Sequence, residues 1–222
     1  MRIAEQRQRA EIVATAHALD AAGLMPNKSG NVSARVPGGL AITPAGTPYA
    51  DLTPEQIVEL PLVAAIEPSG SRPSSEWRMH AAIYRARPDA AAIVHTHSPR
   101  ATALACAGLG IPPFHYMIAL AGGEVRCAPY ATFGSPELAA AAVAGLEERR
   151  ATLLANHGVV AIGPSLRAAQ AVALEIENLA GQYLALRAAG LEPRLLDAQE
   201  LARVIEKFTD YGRLGAGGAR GP

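Results

Sequence analysis

Lysine is almost missing from this chain. Of its 20 basic residues only Lys28 and Lys207 are lysines, and neither stands in a stretch that would bury and desolvate an amine. Schiff-base chemistry needs such an amine, so carbonyl chemistry in this protein points to a metal instead. Cysteine is equally scarce: Cys106 and Cys127 are the two in 222 residues. Neither sits in a C-x-x-C pattern, so a disulfide framework is set aside and both read as bland thiols. Charge of one sign is lacking too, with 20 basic against 20 acidic residues and no basic stripe, which argues against a nucleic-acid partner. No apolar run reaches the ~18 residues expected of a membrane span. The stretch Met1 to Arg9 has no apolar core of the kind a signal peptide carries, so the expected location is the cytoplasm. What is abundant is apolar residue, 50% of the chain, enough for one large domain with a real core.

The pattern along the chain alternates helix and strand signals. Ile12, Val13, Ala16 and Leu19 recur at helical spacing over residues 5–20, and Gly23 stops the run. A turn-rich segment from Met25 to Ser33 enters a short strand, and a hairpin through Pro37-Gly-Gly39 returns it as Leu40-Ala-Ile42. Thr53-Pro-Glu-Gln56 has the cap and first-turn proline of a helix start, and Leu60 to Ile66 suggests a strand. Further helices are expected over 75–87, 99–107, Ser135 to about Arg149, 165–189 and from Asp197. Strands are expected at Ala90–Val94, Val125–Pro129, Ala151–Ala155 and Val159–Ile162. No repeat or linker divides the chain. The expected fold is α/β: a single domain over residues 1–214 with a central, mostly antiparallel sheet flanked by helices on both faces. A Gly-rich tail, residues 215–222, is expected to be disordered.

The chemistry concentrates in Val94-His95-Thr96-His97. Residues two apart on a strand point to the same side, so two imidazoles converge where a buried strand ends before Pro99. A third imidazole, His157, follows the apolar run Ala151 to Ala155. Three histidines with an open position describe a catalytic zinc site. Glu76 opens the helix after Ser74 and Ser75, where it is either an ordinary first-turn glutamate or a functional one. The two serines are either plain caps or, with free backbone N–H groups, a phosphate cradle. Gly30 to Ser33 and Thr43 to Gly46 are two more loops with small residues and exposed N–H groups suited to an anion. His17, His80 and His115 read as structural or surface residues, although His80, one turn after Glu76, is placed to orient it. A zinc hydrolase also uses H-x-H pairs, but such barrels run to about 250 residues or more and carry a further Asp or Lys ligand.

With those stretches in view the chain resembles the class II aldolase/adducin family, closest to its L-fuculose-1-phosphate aldolase members. The resemblance rests on Ser29-Gly-Asn-Val-Ser33, Ile42-Thr-Pro-Ala-Gly46, Pro73-Ser-Ser-Glu76, Val94-His-Thr-His97, His115-Tyr-Met-Ile118, Ala128 to Gly134, Ala155-Asn-His-Gly158 and Lys207 to Gly212, in order over nearly the whole length. It implies a homotetramer with Zn2+ sites at subunit interfaces, held by His95, His97, His157 and Glu76. It implies Glu76 as acid/base, with Tyr116 and Tyr211 entering the site from a neighbouring subunit or the C-terminal segment. It implies Asn31, Thr43, Gly46, Ser74 and Ser75 around the phosphate of a small sugar phosphate. The implied reaction is cleavage of a deoxy-ketose 1-phosphate to dihydroxyacetone phosphate and an aldehyde such as L-lactaldehyde. Aldolases for 5-deoxyribulose or methylthioribulose 1-phosphate, related epimerases and dehydratases, and non-catalytic adducin-like modules are the alternatives. The adducin-like ones lack the zinc histidines that this chain keeps.

Overall fold

The chain is described by a computed structural model over residues 3–63 and 72–216, with side chains as far as Phe208. Helix α1 (Ile3–Ala21) buries Ile12, Val13, Ala16 and Leu19, the stripe its spacing dictates. Strands β1 (Asn31–Val36) and β2 (Gly39–Ile42) form the expected hairpin. Strand β3 (Val58–Pro61) and helix α2 (Trp77–Ala86) follow. Strand β4 (Ala92–Thr96), which carries the histidine pair at its end, leads into α3 (Pro99–Cys106). Strand β5 (Arg126–Ala128) precedes α4 (Pro136–Gly145). Strands β6 (Ala151–Leu154) and β7 (Gly158–Gly163) form a second hairpin, followed by α5 (Leu166–Ala188) and α6 (Ala198–Ala216). Caps fix the starts of three of these helices: Ser135 Oγ accepts from Leu138 N, Ser165 Oγ from Ala168 N and Asp197 Oδ1 from Glu200 N, each satisfying an otherwise unpaired N–H.

The strands form one seven-stranded sheet in the order β3-β2-β1-β4-β7-β6-β5. Every pairing is antiparallel except β5 with β6. Helices α1, α3 and α5 cover one face, and α2 and α4 cover the other. Side-chain alternation divides β4 between the two layers: Ala92 and Val94 pack with α1, α3 and α5, and Ile93 packs with α2 and α4. By the same period His95 falls on the α2 side, which aims it at the start of α2, where Glu76 stands. No described helix is long and apolar enough to cross a membrane.

Five local expectations are corrected. The helix expected at Thr53 is a single 3-10 turn, Pro54–Gln56. Gln56 Oε1 accepts from Thr53 N, and the chain then turns at once into β3. The strand expected at Leu60–Ile66 is instead Val58–Pro61, paired to β2; residues 64–66 lie outside the described residues. Helix α4 stops at Gly145 rather than about Arg149, because Glu148 takes a left-handed turn with φ 56°. Helix α2 starts at Trp77 with Glu76 as its N-cap, so neither Ser74 nor Ser75 caps it. Of the Gly-rich tail, Gly215 and Ala216 continue α6, and residues 217–222 lie outside the described residues.

Candidate metal centre

The ends of β4 and β7 and the start of α2 meet at one point. His95 pairs with Val160 and Thr96 with Val159 across β4 and β7. That register sets His157, the last residue of the β6–β7 turn, beside the end of β4. The turn is made by Asn156, with φ 55°, and by His157 N donating to Leu154 O. Gly158 is required here. A Cβ on it would sit 2.3 Å from Thr96 O and 3.2 Å from His97 Cδ2. Gly30 is required for a similar reason at the start of β1: its φ is +90°, and a Cβ would meet His95 O at 2.5 Å.

The four side chains converge as donors do around a cation. One ligand atom from each of Glu76, His95, His97 and His157 lies within 4.8 Å of all the others. His95 Nε2 is 2.9 Å from Glu76 Oε2 and 3.0 Å from His97 Nε2. The three rings stand edge to face, each pair of centroids 4.9 Å apart. His95 Nδ1 lies 2.9 Å from Val159 O. A carbonyl only accepts, so Nδ1 carries a proton, and Nε2 is the nitrogen turned to the metal position. Glu76 Oε1 is buried without an aligned hydrogen bond, although His157 Nε2 stands 3.2 Å away. A cation among these atoms would satisfy both the orphan oxygen and the facing ring nitrogens. The residues therefore fit a divalent metal.

The electrostatics agree with that fit. Burial, and then the charge of His95, push His97 down to about 3 and His157 down to about 4, so both are neutral ligands at ordinary pH. Burial alone would raise the Glu76 carboxyl, but attraction and hydrogen bonding from His95, attraction from His157 and the Asn31 amide hold it well below the carboxylate range. Burial alone would lower His95; the Glu76 carboxylate and the Val159 carbonyl raise it instead.

A cleft of about 350 Å³ opens beside these groups, and Lys28, Asn31, Gly46, Ser74, Ser75, Glu76, His97 and His157 are among its walls. Asn31 Nδ2 donates to Glu76 Oε2 at 3.1 Å. Ser74 Oγ accepts from Glu76 N at 3.4 Å, and Ser75 is exposed. Thr43 is buried beneath the wall, its Oγ1 accepting from Val32 N at 3.2 Å. Tyr116 is 53% exposed, is not among the lining residues and stacks on Phe208 of α6. Tyr211 lies on α6, but its side chain is outside the described residues. His115 caps the 3-10 turn Tyr116–Ala121 by accepting from Met117 N. The His80 ring does not bond to the Glu76 carboxylate, although His80 N donates to Glu76 O at 3.4 Å: its Nδ1 is 2.6 Å from Ser33 Oγ, which also contacts Tyr84 OH. The sequence reading missed Lys28, Tyr49, Tyr130, Phe133 and Asn156 as lining residues. Tyr49 OH donates to Gly30 O at 2.7 Å and braces the glycine turn.

Residues 10–184 match the family described as Class II Aldolase and Adducin N-terminal domain. The chain is 50% identical over 193 residues to a 5-methylthioribulose-1-phosphate/5-deoxyribulose-1-phosphate aldolase of Rhodospirillum rubrum, covering 86% of each chain. It is 44% identical over 203 residues to the L-fuculose phosphate aldolase of Escherichia coli, covering 91% of this chain and 94% of that one. A solved structure of an L-fuculose 1-phosphate aldolase superposes with a TM-score of 0.87 at 37% identity, over 91% of this chain and 96% of the other.

Proposed function

The chain belongs to the class II aldolase and adducin family, and from that premise we propose that it is a zinc-dependent aldolase that splits a deoxy-ketose 1-phosphate into dihydroxyacetone phosphate and a short aldehyde. The observation that carries this reading is the placement of Glu76. Its carboxylate lies within 3.2 Å of two of three converging imidazoles and also lines the cleft, so it reaches both a metal and a substrate. Three nitrogen donors suit zinc, and a position for substrate oxygens would be open once the carboxylate serves as base instead of ligand. A zinc ion held by these residues supplies Lewis-acid stabilisation of the charge left on the three-carbon half when the C3–C4 bond breaks. That is the role a buried lysine would fill in a protein that had one.

The chain's own residues do the rest. In the condensing direction Glu76 takes the proton from the carbon of dihydroxyacetone phosphate, and Asn31, through its amide on Oε2, holds that carboxylate in place. Backbone N–H groups of Gly46 and Ser75, with the hydroxyls of Ser74 and Ser75, hold the phosphate and so fix the register of the ketose; the Ser74 N–H is already given to Thr43 O. Tyr116 gives a proton to the aldehyde oxygen as the bond forms. Its exposure and its absence from the cleft of its own chain support a role in the site of a neighbouring subunit within a homotetramer. Tyr211 is assigned to the site on its family motif alone. The aldehyde half is either the L-lactaldehyde type or the longer deoxyribulose and methylthioribulose type; the 50% identity to the Rhodospirillum rubrum protein favours testing the latter first. Zinc-loaded protein is incubated with L-fuculose 1-phosphate, 5-deoxyribulose 1-phosphate, methylthioribulose 1-phosphate and L-ribulose 5-phosphate. Release of dihydroxyacetone phosphate is then followed with a coupled enzyme. Release from one of the first three is expected, and its absence from all three contradicts the reading.

A further inference from the structure

One of the chain's two lysines stands in the wall of the cleft. Among the described lining residues Lys28 is the only lysine or arginine; the other charge-bearing groups there are Glu76, the imidazoles of His97 and His157, and the phenols of Tyr49 and Tyr130. Its ammonium enters none of the ion pairs formed among the described residues. The backbone that presents it is unusual. Asn27 and Lys28 are consecutive left-handed residues, with φ 56° and 64°, a conformation that side chains disfavour and that gathers at functional sites. Besides Glu148, the only other described non-glycine residue in that region is Asn156, which also lines the cleft.

The remaining walls leave an anion short of charge. The Pro44-Ala45-Gly46-Thr47 wall offers backbone groups and one neutral hydroxyl, and Ser29 and Ser75 add further uncharged hydroxyls. The Asn31 amide donates to Glu76, and the Ser74 hydroxyl, which accepts from the Glu76 N–H, keeps its own proton as an uncharged donor. Glu76 adds a negative charge of its own. A phosphate monoester carries nearly two negative charges at neutral pH, and uncharged donors alone offset them poorly. We propose that Lys28 is the counter-charge for the substrate's phosphate and selects phosphorylated over unphosphorylated ketoses. This rests on the aldolase reading above. Lysine suits the task as a compact point charge on a long stem that reaches across an open cleft.

The test compares zinc-loaded wild type, Lys28→Gln and Lys28→Arg. With the cleaved ketose phosphate, Lys28→Gln should raise KM by about tenfold or more with kcat within about twofold, the pattern of lost uniform binding. The difference should shrink with added salt, and Lys28→Arg should recover most of it. Cleavage of the matching unphosphorylated ketose should be unchanged in both variants. An unchanged KM for the phosphate ester, or an equal loss on the unphosphorylated ketose, overturns the proposal. If no ketose phosphate is cleaved at all, the aldolase reading is what fails. Lys28 is then judged by titrating inorganic phosphate into the zinc-loaded proteins: affinity weakened at least about fivefold in Lys28→Gln supports its role, and equal affinity overturns it.

Discussion

At the scale of single residues, two substitutions should separate two proton transfers. Glu76→Gln keeps the side chain's size and its acceptor for the Asn31 amide but removes the base. Stoichiometric metal should remain, while exchange of the carbon-bound proton of dihydroxyacetone phosphate falls by about 10²-fold or more; exchange at the wild-type rate would show that the base lies elsewhere. Tyr116→Phe should do the opposite. Dihydroxyacetone phosphate has no aldehyde oxygen to protonate, so its proton exchange should survive while C–C cleavage is lost. If Tyr116→Phe loses exchange as well, Tyr116 acts before the bond-making step. The metal residues were legible because period two on a strand forces His95 and His97 to one side and because the family motifs place Glu76 and His157. Lys28, Tyr49 and Asn156 were not, since the cleft is closed by loops far apart in sequence and no local spacing joins them. Nor does a motif reveal that the Asn31 amide turns to Glu76 or that the Thr43 hydroxyl is taken by Val32 N; both depend on how β1 lies against its neighbours.

Individual elements act as the mount for these residues. The β4–β7 pairing fixes the distance between the His95/His97 pair and His157, and Gly158 sits at its closest point. Gly158→Ala would push a methyl group to 2.3 Å from Thr96 O, so the strands must part where the ligands converge. The expected cost is about 1–3 kcal/mol in urea unfolding together with a loss of bound metal; unchanged stability and full metal content would show that the register tolerates the shift. The start of α3 is tied down from across the fold. Glu177 of α5 accepts from Arg100 N and Ala101 N at 2.9–3.2 Å, while Ser98 makes no side-chain cap. Most elements could be read from the chain because apolar spacing and caps agree, as in α1, α4 and α5. The misreadings came where a local signal met a tertiary demand. Thr53-Pro-Glu-Gln56 has a helix start, yet its next residues are needed as an edge strand on β2. The parallel pairing of β5 with β6 has no signature in so short a strand.

For the whole molecule, the buried imidazoles couple folding to pH. Burial, and then the His95 charge, hold His80 at about 3, against an ordinary value of 6.5. Between those values the unfolded chain binds a proton that the folded chain refuses, so stability rises with pH across that window and is lost as pH falls. His97 and His157, also lowered, act in the same direction. Glu76, held low when folded, adds its loss as pH falls below its unfolded value; His95, raised, opposes. In metal-free protein His80 alone should remove about 2 kcal/mol between pH 7 and pH 5. A urea midpoint that shifts with pH equally in wild type and His80→Asn would contradict a buried neutral His80. The central claim is that three imidazoles and one carboxylate, brought together from β4, the β6–β7 turn and the start of α2, hold a catalytic metal. The most direct test measures zinc content and ketose-phosphate cleavage on the same sample before chelation, after chelation, and after zinc is returned. The account predicts about one zinc per chain, activity lost with the metal and recovered with it, and neither regained in His95→Ala. Full cleavage by a thoroughly metal-depleted sample would contradict it.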